Sequence, residues 1–353
     1  MIDWKFTYWR AVLLPICLFG WIACTNEGEE SLSESLETDL PIRWSVHSEQ
    51  IKDGRALIES SAALQTACSN GGQAIGIWSA YQRKDEELIQ HVLGNEEGDV
   101  SLVYQGTSEG WTYGEAVYWK RSAVYYFNTY FPKENGMTNI AHTSTSISGK
   151  YDTSVTQQDL MVCSVSVDTG ADNFQGSPVP LEMKHALSSL KFVFRMEEAA
   201  KASRILKSLS LDNTLAVSGT LAYQTGAVGI NNWTVQQASG NSPTYVWNNS
   251  GLEFSARTSV AAYTTPEGTT TTAGNLFCNN GGHILIIPQT CSKAPCITIV
   301  TDTDKYENVS LGTTRFEPGK LYVYDIVIKD NSVNVSLNIK PWNLKGSSYD
   351  ITF

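Results

Sequence analysis

From Gln73 to Trp342 the chain is written in short runs of β-branched and aromatic residues, broken at irregular intervals by Gly, Asn, Ser and Thr. Almost nothing in it carries the 3.6-residue period of a long amphipathic helix, so an all-β fold is the reading to start from. QAIGIWSAY (73–81), DVSLVYQ (99–105), WTYGEAVYW (111–119) and SAVYYFNTYF (122–131) each predict a strand. Ahead of them Ile42, Trp44 and Val46 alternate with Arg43, Ser45 and His47, the period of a half-buried strand. The exception is Gly54 to Cys68, where Leu57, Ser61, Leu64 and Cys68 at helical spacing predict a short helix near the start of the first domain.

Gly176, Pro178 and Pro180 in NFQGSPVP (173–180) interrupt this texture and mark the internal boundary. Beyond it Leu190, Phe192 and Phe194 fall on one face of a predicted strand, with Lys191, Val193 and Arg195 on the other. Strands are further predicted at 204–213, 214–223, 282–289, 296–304, 320–330 and 332–342, and the Thr, Asn, Gly and Ser of 231–281 predict long loops. Two halves of similar size and texture, 42–178 and 179–353, predict two related sandwiches. Sixteen Tyr and ten Trp supply large side chains for them, each contributing about 1.5–3 kcal/mol when fully buried.

At the other end, Lys5 and Arg10 flank an apolar run, Ala11 to Trp21, too short to span a bilayer and suited to an export signal. Trp21, Ile22, Ala23 and Cys24 then resemble the lipobox of bacterial lipoproteins, with Trp21 where leucine is usual. That resemblance makes residues 1–23 a signal peptide, Cys24 the lipidated residue and 24–41 an acidic tether to an outer membrane. A cleaved signal with an incidental Cys and an uncleaved anchor are the alternatives. Without residues 1–23 the chain loses Lys5, Arg10 and Asp3, and its net charge moves from −11 to −12. A chain this acidic with no basic block is repelled by phosphate backbones, which excludes nucleic acid as a partner. The five cysteines after Cys24 are irregularly spaced, unlike a disulfide framework. Cys291 and Cys296 bracket SKAP between strand-like runs and are the candidate bridge, with free buried thiols as the alternative.

Several stretches together resemble the fimbrillin family of pilus subunits from anaerobic Gram-negative bacteria. They are WTYGEAVYWKRSAVYYFNTYFP (111–132), QQDLMVC (157–163), LEMKHALSSLKFVF (181–194), HILIIPQ (283–289) followed by ITIV, FEPGKLYVYDIVI (316–328) and IKPWN (339–343). The resemblance implies two tandem transthyretin-like β-sandwich domains on a surface lipoprotein precursor. It further implies that in stalk subunits an Arg-specific protease removes the N-terminal segment, here after Arg43 with Arg55 as the alternative, and that the C-terminal strand of another pilus subunit fills the groove left behind; without cleavage the chain fits an anchor, a tip subunit or a stand-alone lipoprotein. Tyr349, Ile351 and Phe353 alternate in the tail KGSSYDITF as a donor strand requires. Burying all three contributes about 5–9 kcal/mol before ordering costs; the alternative is a last strand folded onto its own sandwich. The partners implied are other pilus subunits and a host or bacterial surface receptor, and the alternative function is a stand-alone surface lipoprotein that binds glycans.

No set of residues with catalytic spacing emerges. GTSEG (106–110) matches a nucleophile elbow in letters, but that motif requires a strand-to-helix turn and a strand-like run follows. Gly312 to Lys320 has six residues between its glycines and Leu321 in place of the magnesium-binding hydroxyl, so it is no phosphate loop. The five histidines are scattered without ligand spacing, and the acidic clusters 85–87 and 96–99 lack the oxygen spacing of an EF-hand, so neither a metal nor a cofactor is expected. The aromatics of 111–131 form either core or a sugar-stacking platform.

Overall fold

A computed structural model describes residues 37–48, 58, 60–87, 89–94, 98–197, 203–237, 243–254, 260–261, 284–329 and 332–341. Among them one α-helix stands beside twenty-five strands, which makes the chain all-β. The helix, Ser61–Ala67, is shorter than the spacing predicts because Ser60 starts it: the Ser60 hydroxyl accepts the Ala63 N–H at 3.1 Å. Leu64 and Cys68 enter the core as predicted, and Leu57 lies outside the described residues.

The first half is organised on one large sheet with Ile75–Arg83 and Ala123–Phe131 at its centre, paired antiparallel from Gly76↔Tyr130 to Arg83↔Ala123. Met161–Asp168 and then Val179–His185 extend it on one side, and Trp44–Ser48 closes that edge in parallel with Val179–His185. The predicted strand 111–119 is two short pieces, Trp111–Thr112 and Tyr118–Lys120. Gly114 separates them at φ +119°, a conformation that a strand does not use. One face of the sheet buries Ile75, Ile77, Tyr81, Tyr125, Phe127, Met161 and Leu181 in a single apolar core that also takes in Ile42, Leu64 and Trp119. The expected boundary at 178/179 falls just ahead of a strand whose pairing ties it to this first sheet; the chain leaves this core only at Ala186 and Leu187.

The other face of the same sheet is covered as well. Tyr130 lies flat over Gly76, so close that a Cβ there would sit 2.2 Å from its ring. Trp78 stacks on His142 with ring centroids 5.4 Å apart. Asn128 Nδ2 donates to the carbonyls of Thr143 and Ser146 at 2.7 and 3.2 Å. These contacts hold the hairpin of Thr138–His142 and Ile147–Asp152 on the back of the sheet. The hairpin then pairs with Ser218–Tyr223, from Ile147↔Tyr223 to Asp152↔Ser218, so one four-stranded sheet is shared between the two halves of the chain. Beneath it Tyr130, Ile147, Tyr151, Leu187, Leu221, Trp233 and Leu285 form a smaller middle core. Gln157 fastens this layer, accepting from Leu285 N–H at 2.7 Å and donating to the Leu285 carbonyl at 2.9 Å.

Asp99 anchors the hairpin electrostatically. Lys133 Nζ stands 3.1 Å from its Oδ1, and His142 Nε2 3.5 Å from its Oδ2. Burial opposes the charge on Asp99, but the neighbouring His142 ring, the Lys133 ammonium and the Tyr130 hydroxyl hold the carboxyl below its ordinary value. A carboxylate held low stabilises the fold above its unfolded pKa of about 4, and the contribution is lost as pH falls through the folded value. Asp99→Asn is therefore expected to lower stability at pH 7 by about 2 kcal/mol, less than for a fully buried pair because Lys133 keeps some solvent. In urea titrations the gap to the parent chain should close as the pH drops below about 4; a gap that stays constant would contradict the ion pair's role.

In the second half Ser188–Met196 and Lys320–Ile328 pair in parallel from Ser189↔Leu321 to Met196↔Ile328, with Val333–Pro341 at the edge. Leu190, Phe192 and Phe194 of this sheet face Leu206, Leu209, Leu211, Ile297 and Ile299 of a second sheet across the C-terminal core. Residues 231–281 are not simply loops as predicted: Trp233–Gln236 and Tyr245–Phe254 are strands. Single anchors, Trp233 and the fully buried Tyr245, seat them despite their polar neighbours.

Candidate functional site

The leading described strand, Glu37–Pro41, belongs to neither large sheet. Among the described residues it pairs with Tyr118–Lys120 alone, in register Glu37↔Lys120 and Pro41↔Tyr118 with an irregularity between. Ile42 follows and is the residue that seats the segment: its N–H donates to the Val117 carbonyl at 2.8 Å, and its side chain is 4% exposed within the first core. Leu40, by contrast, is 42% exposed and packs along Gly176. The segment is thus a two-stranded ribbon in which, among the described side chains, Ile42 is the buried one.

Arg43 stands at the end of this ribbon, between Glu37–Pro41 and Trp44–Ser48, with its side chain exposed. Its carbonyl accepts the Val179 N–H at 2.7 Å, which starts the parallel pairing of Trp44–Ser48 with Val179–His185. Chain scission after Arg43 would free the ribbon and Ile42 while leaving Val46, 3% exposed, in the core. What would be uncovered is the free edge of Tyr118–Lys120 and the slot that Ile42 fills. The sequence gives Ile42 as an inward residue but contains nothing that points to Val117 as its partner. Cys24, Arg55, Tyr349, Ile351 and Phe353 lie outside the described residues.

Most of the aromatic stretch is core, with Tyr118 as its exposed member at 46%. Trp119, Tyr125 and Phe127 have no exposed surface and Trp111 has 8%. Cys291 and Cys296 are not bridged: both are free thiols. Cys291 turns into the C-terminal core beside Gln289, whereas Cys296 lies half-buried on a strand paired with Ser310, its sulfur near the Ala294 carbonyl. Burial pushes the Cys68 thiol up to about 12 and those of Cys163 and Cys291 up to about 11, which makes all three inert. GTSEG closes a hairpin, with the Gly110 N–H on the Gly106 carbonyl at 2.7 Å, and Pro318 and Gly319 form the turn before Lys320–Ile328. His185 is packed against Asp159, Nδ1 to Oδ1 at 3.0 Å. Among the described residues no three His, Cys, Asp or Glu side chains converge as metal ligands do.

The fimbrillin-like family profile matches residues 62–342. Among solved structures, a fimbrial protein of Bacteroides vulgatus superposes with a TM-score of 0.53 at 17% identity, covering 86% of this chain and 99% of its own. A Bacteroides ovatus protein assigned to cell adhesion gives 0.51 at 13% identity over 87% of this chain and 99% of that one. Another from Bacteroides uniformis gives 0.50 at 16% identity over 86% and 100%. No curated protein sequence matches this chain.

Proposed function

This chain belongs to the fimbrillin-like family, and from that premise we propose that it is a fimbrial subunit exported as a lipoprotein on Cys24 and assembled by donor-strand addition. Family membership gives the coarser part: a pilus subunit with a structural role at the cell surface. The finer part rests on one observation, the ribbon at 37–42. Among the described residues it pairs with one short strand and carries one buried side chain, Ile42, and an exposed arginine follows it directly.

Cleavage after Arg43 removes a strand whose main chain is bonded to Tyr118–Lys120. The vacated edge offers backbone donors and acceptors, and the Ile42 slot offers an apolar pocket. An extended segment with apolar residues at period two supplies both kinds of contact. Tyr349, Ile351 and Phe353 of a second copy, or of a related subunit, are the proposed donor. A glycan-binding lipoprotein built on the 111–131 aromatics has less to stack on, because Trp111, Trp119, Tyr125, Phe127, Tyr130 and Phe131 are buried and only Tyr118 is exposed.

The test is treatment of the chain with an Arg-specific protease followed by electrophoresis without boiling. A ladder of stable oligomers is expected from the cleaved parent chain and from no sample lacking residues 345–353. Arg43→Ala should suppress the ladder if this is the processed arginine. A cleaved parent chain that stays monomeric at every concentration would refute assembly by strand exchange.

A further inference from the structure

A cavity of 540 Å³ opens beside the shared middle sheet, away from every residue of the ribbon and of 117–120. That volume lies within the range of about 300–1,000 Å³ usual for small-molecule sites. Its walls come from three pieces of chain. The turn after Ala123–Phe131 brings Asn135 and Gly136, the Ile147–Asp152 strand brings Lys150 and Asp152, and the following turn brings Val155 and Gln158.

Each wall is held before anything binds. Gly136 approaches the Pro132 carbonyl so closely that a Cβ would sit 1.9 Å from its oxygen, and Asn135 beside it adopts φ +56°. On the opposite lip Asp152 Oδ1 accepts the Ser154 N–H at 2.9 Å and its hydroxyl at 2.5 Å. The N–H groups of Val155 and Thr156 both reach the Asp152 carbonyl, at 3.2 and 3.1 Å. The buried Tyr151 hydroxyl then ties the lip down by donating to the Gln158 carbonyl at 2.5 Å. This fixed turn holds Val155 outward, 79% exposed, the most exposed of the large apolar side chains described.

The polar groups left over face one kind of ligand. Lys150 and Asp152 are two apart on one strand and so project from the same face. Lys150 has no ion-pair partner among the described residues, and Asp152 Oδ2 takes part in none of the turn's bonds. One ammonium and one carboxylate cancel in net charge, which disfavours an ionic ligand. A neighbouring pair of hydroxyls satisfies both, one donating to Asp152 and one accepting from Lys150, while an apolar C–H face covers Val155.

We propose that this cavity binds one residue of an uncharged sugar, making the subunit a weak glycan receptor at a site separate from its assembly groove. The site stands whether or not the subunits polymerise. The test is saturation-transfer NMR on the full chain in detergent micelles, with the methyl glycosides of glucose, galactose, mannose and N-acetylglucosamine as probes. At least one should bind with a Kd of about 1–10 mM. Asp152→Asn keeps the turn acceptor and Lys150→Met removes only the ammonium; each should weaken binding at least about tenfold with no change in thermal unfolding. If Asp152→Asn unfolds, Lys150→Met alone decides. The proposal is overturned if none of the four glycosides receives saturation, if binding survives Lys150→Met, or if methyl glucuronide binds more tightly than all four.

Discussion

Trp119→Ala is expected to lower the unfolding free energy by about 3–5 kcal/mol, the cost of emptying a large aromatic site in a closed core. Trp119 has no exposed surface and meets Tyr125, Phe127 and Phe174 edge-on, with centroids 4.8, 6.0 and 5.1 Å away. Edge-to-face pairs add about 0.5–1.5 kcal/mol each beyond the area they bury. Those neighbours come from the central strand of the sheet and from the 174 loop, so no single movement can refill the space. The residue also sits in Tyr118–Lys120, the strand that carries the leading ribbon. Equilibrium urea unfolding should show the loss, and near-ultraviolet circular dichroism should lose its aromatic signal. A loss below about 1 kcal/mol would mean that the site collapses freely and that the core is not packed as described.

Gly76→Ala is the second large effect, of about 3 kcal/mol or more. The added methyl meets the Tyr130 ring at 2.2 Å, and the ring is itself buried, 2% exposed, under the hairpin. Overpacking of this kind costs about 1–3 kcal/mol, and displacing the ring also breaks the hydrogen bond between Tyr130 and the charged Asp99, worth about 1.5–3 kcal/mol. Because the same bond is lost in Asp99→Asn, the two substitutions should be less than additive. A double-mutant cycle in urea would detect this; full additivity would show that the ring shifts without reaching Asp99.

Much of the fold is legible in the sequence, and the failures have physical causes. The run 73–81 is nearly continuous in apolar residues, and the strand there is buried on both faces, by the first core on one side and the hairpin on the other. In Val333–Pro341 apolar and polar residues alternate at first because that strand has only one covered face. What covers the back of the central sheet is not legible, since it depends on pairing Ile147–Asp152 with Ser218–Tyr223, far apart in the chain and weakly patterned in both places. WTYGEAVYW reads as one strand because its aromatics outweigh Gly114 in composition, whereas conformation is decided by that one residue. In the tract after Asn231 the reverse holds: many polar residues hide the two anchors that seat strands.

The candidate groove divides in the same way. Alternation gives Ile42 as inward and Arg43 as outward, which is how they lie, although both stand between Glu37–Pro41 and Trp44–Ser48 and not within a strand. That the ribbon rests on Val117 and Tyr118 follows only from the folded chain, since the intervening residues carry no pattern that relates them. The bridge expected between Cys291 and Cys296 is not formed, and both are free thiols.

The most direct measurement of donor-strand assembly is a cross-link between two differently substituted chains. Val117→Cys is placed in one preparation, and Tyr349→Cys, Ile351→Cys or Phe353→Cys in another; the two are mixed under mild oxidation before and after cleavage by an Arg-specific protease. A donor strand seated in the vacated ribbon site predicts a covalent mixed dimer for at least one tail position, formed only when the Val117→Cys chain has been cleaved. Mixed dimers that form equally without cleavage, or none at any tail position after it, would contradict the account.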